Sequence, residues 1–178
     1  MRTHSRHRNH PVLIGLGAAA LLAAGATARA EDKPTAANNS ETATVLGKLH
    51  HSNQMEIEMG KLAQKNGQSN DVKKYGKMLV KDHGAADKKV MAFAKKEKLE
   101  LPTTTDMKAD HMDMGTGAAF DSKFAEEMVE DHKKDIAEVT SARDSTTDDK
   151  LKKLLSDLLP TLEKHRDTAQ KLVDGQKK

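Results

Sequence analysis

Four long stretches of this chain repeat apolar residues at intervals of three and four, and each stripe is interrupted near its middle by an acid or an imidazole. That period is the signature of amphipathic helices, and stretches this long leave no room for alternating strands. The first, over about residues 42–65, aligns Leu46, Leu49, Asn53, Glu56, Ile57, Gly60 and Ala63. The second, over about 70–98, opens on the cap-forming Ser69-Asn70-Asp71, carries Val72, Tyr75, Leu79, Asp82/His83, Ala86, Val90 and Phe93, and closes before Pro102. The third, over about 118–143, aligns Phe120, Phe124, Met128, Asp131/His132, Ile136 and Val139. The fourth, over about 147–173, stacks Leu151, Leu155, Leu158, Leu162, His165, Ala169 and Leu172, with Pro160 inside it predicting a kink.

The connections are unequal. Those at 65–70 and 143–149 are short, whereas that at 101–117 is long enough to reach about 55 Å when extended, more than the length of the helices it joins. Helices two and three can therefore run parallel. The expected fold is all-α, a ferritin-like four-helix bundle with a long connection between helices 2 and 3; an up-down bundle with a loose middle loop is the other solution.

A nine-residue phrase occurs twice, as YGKMLVKDH at 75–83 and as FAEEMVEDH at 124–132, ending each time in Asp-His. Counted from the short turns, Glu56, Asp82/His83, Asp131/His132 and His165 all fall near half-height of their helices. A buried carboxylate or imidazole costs several kcal/mol unless it is paired or bound to a cation. Glu56, Asp82, His83, Asp131, His132 and His165 are accordingly the candidate metal ligands. The core set is Glu56, His83, His132 and His165, with the two aspartates as further ligands or as orienting partners. Such nitrogen and oxygen donors suit Fe, Mn, Zn or Cu. Two other readings stand beside this one: a metal-free layer of Asp-His and Glu-His hydrogen bonds that fixes helix register, and a b-type haem held by Met and His. The spacing leaves open whether His50 or His51 joins the layer. A separate cluster, Met107, Asp110, His111, Met112, Asp113 and Met114, offers thioethers beside an imidazole, a donor set for Cu(I).

The amino-terminus is of a different kind. Arg2, Arg6 and Arg8 precede the small and apolar run PVLIGLGAAALLAAGATARA, which ends in Ala28-Arg29-Ala30. Residues 1–30 read as a cleaved signal peptide, 31–41 as a flexible spacer and 42–175 as the bundle domain, which places the product in the periplasm or outside the cell with no stable membrane anchor. Removing Arg2, Arg6, Arg8 and Arg29 leaves 26 basic against 27 acidic residues, so the formal charge of +3 belongs to the leader. That balance gives no clustered basic footprint for nucleic acid. The absence of cysteine excludes thiolate metal sites, disulfides and c-type haem. No G-x-S-x-G elbow or Gly-rich phosphate loop is present, and the expectation is a binding protein rather than an enzyme.

Taken in order, HHSNQMEIEMGKLAQ (50–64), VKKYGKMLVKDH (72–83), FAEEMVEDH (124–132) and LPTLEKH (159–165) make the chain resemble the bacterial domain-of-unknown-function family 4142. The resemblance covers about 42–173 and implies a ferritin-like bundle in an exported protein. It does not extend to di-iron chemistry, which uses Glu-x-x-His on two helices: the residues three before His83, His132 and His165 are Val80, Val129 and Leu162. The function expected is binding of a divalent transition metal in the Glu/Asp/His layer, for metal handling or envelope stress protection. The alternative is a metal-free structural or interaction module of the envelope, partnered by another envelope protein or by a second copy.

Overall fold

The computed structural model describes residues 36–102 and 114–176, with side chains from residue 38 onward. Four helices follow one another: α1 (Ala36–Asn66), α2 (Asn70–Lys96), α3 (Gly117–Ser145) and α4 (Asp149–Gln176). The leader expected over residues 1–30 and the loop donors from Met107 to Asp113 lie outside the described residues. Among the described residues, no helix is long and apolar enough to cross a membrane.

The ends of the helices follow local chemistry. Ser69 Oγ accepts from the Val72 amide at 3.1 Å and starts α2, and Asp148 Oδ1 accepts from the amides of Lys150 and Leu151 to start α4. At the end of α2, Lys98 takes a left-handed φ of 55° and the Leu99 amide returns to the Ala94 carbonyl at 2.9 Å. One boundary differs from the sequence reading. Helix α1 begins at Ala36, inside the stretch read as a spacer, because the alanines there favour helix and nothing in 36–41 breaks it. Helix α4 stays one element across Pro160.

Connectivity comes from the contacts at the two ends. Gly67, just after α1, forms a bridge with Gly117 at the start of α3. The buried Asp121 of α3 accepts from the amides of Gln68 and Ser69 in the α1–α2 turn, at 2.9 and 2.8 Å. At the far end Lys150 Nζ of α4 reaches Glu97 beyond α2 at 3.1 Å. Helices α2 and α3 therefore start at the same end and run parallel, joined by the long crossover of a ferritin-like bundle. Around the bundle the neighbours are α1/α2, α2/α4, α4/α3 and α3/α1.

The core is divided. At the α1–α2 turn end, Met59, Ala63, Val72, Tyr75, Leu79, Phe120, Phe124 and Met128 form one cluster. At the crossover-start end, Leu46, Val90, Ala94, Val139, Leu151, Leu155, Leu159 and Leu162 form another, aliphatic cluster. Between them lies a belt of buried polar side chains: Asn53 and Glu56 from α1, His83 from α2, His132 from α3 and His165 from α4. At about 1.5 Å per residue these positions lie roughly 15–22 Å from the turn end, which is why they meet.

Candidate metal centre

Each helix supplies its polar side chain from the stripe that would otherwise carry a core residue. His132 and His165 are fully buried and His83 is 2 % exposed. The three rings pack in a triangle with centroids 5.0 to 5.6 Å apart. One nitrogen of each ring lies within 4.8 Å of the other two. An ion bound at about 2.0–2.1 Å would ask for spacings of roughly 3.3–3.6 Å, so small ring rotations close the set.

The partners behind the rings decide which nitrogens are available. His132 Nδ1–H donates to the Met128 carbonyl at 2.8 Å, which leaves Nε2 bare. His83 Nδ1–H donates to Asn53 Oδ1 at 2.9 Å, again leaving Nε2 bare. His165 Nε2–H donates to Asp82 Oδ2 at 3.2 Å and leaves Nδ1 bare, 3.2 Å from His83 Nε2. An imidazole has one donor and one acceptor when neutral, so each outer hydrogen bond fixes a tautomer and turns a lone pair inward. Two lone pairs at that separation repel unless a proton or a cation lies between them. A polar or charged partner behind each imidazole is the arrangement that orients metal-binding histidines.

Electrostatics agrees with this assignment. Burial lowers all three imidazole pKa values, repulsion from neighbouring rings adds to it at His83 and His132, and His132 falls to about 4. The hydrogen bond to Asp82 works against that shift at His165. Each ring is thus neutral, with its lone pair free, at neutral pH. Glu56 behaves oppositely. Burial, then the nearby Asp135 and Asp131 carboxylates, holds its pKa well above the ordinary range. Its Oε1 lies 3.6 Å from His132 Nδ1. Among the described residues, buried Glu56 Oε2 and His132 Nε2 have no hydrogen-bond partner. An orphaned acceptor costs about 1–3 kcal/mol, and here two of them sit beside three imidazoles.

Over residues 26–172 the sequence matches the family described as Domain of unknown function (DUF4142). The chain belongs to this family. No curated protein matches it. Among solved structures, this DUF4142 bundle is similar to CopM in the Cu(II)-bound form, with a TM-score of 0.63 and 17% identity over 76% of this chain and 96% of that one. CopM in the Cu(I)-bound form gives 0.64 at 16% identity, over 80% and 98% of the two chains. CopM in the Ag-bound form gives 0.60 at 16%, over 78% and 96%. At these identities the likeness establishes a shared helical-bundle fold.

Within the DUF4142 bundle, the six residues singled out by sequence occupy three tiers. His83, His132 and His165 converge. Glu56 is buried beside His132, and Asp82, half-buried, stands behind His165. Asp131 is half-buried, and its carboxylate acts on Glu56 and Tyr75 through space. His50 turns to Asp87 on the α1/α2 side at 2.6 Å, and His51 is absent from the cluster of imidazole nitrogens. Met114 packs into the aromatic core. Two participants lie beyond the six candidates: Asn53, whose polarity on the α1 stripe is the signal the sequence offers, and the Met128 carbonyl, which has none, because every residue carries one.

Proposed function

We propose that this protein binds a single transition-metal ion, copper foremost, through His83 Nε2, His132 Nε2 and His165 Nδ1, with Glu56 as the fourth, charge-balancing donor. Asp82, Asn53 and the Met128 carbonyl orient the rings, and Asp131 tunes Glu56. The observation that carries this reading is the set of three outer hydrogen bonds, which together leave three bare nitrogens facing one another in a buried layer. A cation there relieves the lone-pair repulsion and gives partners to the two orphaned atoms. Imidazole donors accept copper, zinc and iron alike. The copper-bound and silver-bound structures of bundles with this fold support copper. The signal peptide expected over residues 1–30 supports a role in metal handling in the envelope or outside the cell, without catalytic turnover.

A metal-free layer has one observation in its favour, the 3.2 Å contact between His165 Nδ1 and His83 Nε2. A protonated His165 could bridge His83 and Asp82 with two N–H donors. Burial opposes that proton, and the bridge leaves His132 Nε2 and Glu56 Oε2 unsatisfied. The ion serves the geometry better.

The test is a titration of chelator-treated, untagged protein with Cu(II) and with Cu(I). The expected result is one tightly held ion per chain, with nitrogen hyperfine structure from the imidazoles in the Cu(II) spectrum. His132→Ala should weaken binding and remove one imidazole from that hyperfine pattern while the variant stays helical. Equal binding by wild type and His132→Ala would place any copper elsewhere and refute the site.

A further inference from the structure

The metal layer is sealed on one side and accessible on the other. Below it, Tyr75, Phe120 and Phe124 pack against one another, with Phe120 and Phe124 stacked at 5.4 Å and Tyr75 edge-on to Phe124 at 5.9 Å. Tyr75 Oη also donates to the His165 carbonyl at 3.1 Å, closing that face. Above it, a cavity of about 730 Å³ reaches down among the aliphatic residues to Asn53 and His83, with exposed Lys48, Lys89 and Glu138 on its lining. This volume is in the range of ligand-sized clefts.

Two carboxylates mark the two sides from which the cavity can be reached. On the α2/α4 side, Asp82 is engaged by His165 and has Lys164 Nζ 3.9 Å away. On the α1/α3 side, Asp135 is held by Ser52 Oγ at 2.6 Å, and burial, aided by Glu138, raises its pKa. Lys134 is the cation acting on it. Asp135 in turn acts on Glu56, whose Oε2 is buried without a partner. Glu138, Asp135 and Glu56 thus descend from solvent to the orphaned carboxylate beside His132. Both Ser52 and Asp135 line the cavity whose floor includes His83.

Resting on the metal reading above, the geometry points to the α1/α3 seam as the route by which a cation reaches the histidines, with Asp135 and Ser52 as a transient station. The cation arrives hydrated, exchanges water for the Asp135 carboxylate and the Ser52 hydroxyl, and passes on to the imidazoles; no bond in the protein breaks. The α2/α4 side is disfavoured by Lys164 and by the prior engagement of Asp82. Lys48 and Lys89 also line the cavity, but Glu138 and Asp135 stand together on the α1/α3 seam, and a local acidic field of this kind raises the encounter rate of cations by about tenfold at low salt.

Association rates test this, because the chain's single tyrosine, Tyr75, lies with its ring centroid 6.3 Å from that of His165 and reports Cu(II) arrival by quenching. Stopped-flow mixing with glycine-buffered Cu(II) is expected to show an association rate about tenfold lower in Glu138→Lys, an exposed position, with the difference vanishing in high salt. Asp135→Asn should slow association and release together and retain one ion per chain. Lys164→Glu should stay within about twofold of wild type on the same scale. An unchanged rate in Glu138→Lys, or a faster one in Lys164→Glu, overturns the route while leaving the metal site intact. Absence of Cu(II) binding by the wild type overturns both.

Discussion

His132 shows at residue scale how the layer stores free energy. Its ordinary pKa of 6.5 falls to about 4 in the fold, so the metal-free native state binds fewer protons than the unfolded chain between those values. Its contribution is fully present above about pH 6.5 and is lost as pH falls toward 4, a difference of roughly 3 kcal/mol at most. Glu56 has the opposite sign. Its folded pKa is raised, so its contribution is present below the ordinary carboxylate value and is lost as pH rises through the folded one. Thermal melts in chelator across pH should therefore show His132→Gln flattening the acid limb and Glu56→Gln raising stability on the neutral and alkaline limb. An unchanged Glu56→Gln profile would mean that this carboxyl is not held protonated. Glu56, His83, His132 and His165 were legible in the sequence because each breaks an apolar stripe at matching height. The direction of each ring was not, since adjacent Asp and His differ by about 100° around a helix and only packing selects between them.

At the scale of elements, α1 and α2 approach closely where Gly60 and Gly76 face each other. A Cβ on either would lie 2.6 Å from the other's carbonyl oxygen. Gly60→Ala and Gly76→Ala should each destabilise by about 1–3 kcal/mol through forced separation of the helices, although alanine is the better helix former. Chemical denaturation measures this; a gain in stability would show that the helices separate without cost. The end of α2 gives a change of opposite sign. Lys98 is a non-glycine residue at a left-handed φ of 55°, so Lys98→Gly should stabilise by about 1 kcal/mol in the same assay. The periodicity exposed all four helices and the Ser69 cap. It missed the start of α1, where exposed residues from 38 to 41 give no stripe to read.

For the whole molecule, unequal connections already implied the crossover, but its anchoring at the turn end belongs to tertiary structure. Asp121 of α3 holds the α1–α2 turn through two backbone amides. Asp121→Ala should cost about 2–4 kcal/mol, seen as a lower denaturation midpoint with the helical spectrum intact below it. The two hairpins meet across the histidine layer, so an ion held by all four helices ties them together, and ligand linkage then raises the melting temperature with metal concentration. The most direct measurement is X-ray absorption at the copper edge on protein loaded with one equivalent of copper, compared with His83→Ala, His132→Ala and His165→Ala. The account predicts scattering from three imidazoles in the wild type and the loss of one from each variant. A first shell dominated by sulfur, or one unaffected by any of the three substitutions, would contradict it.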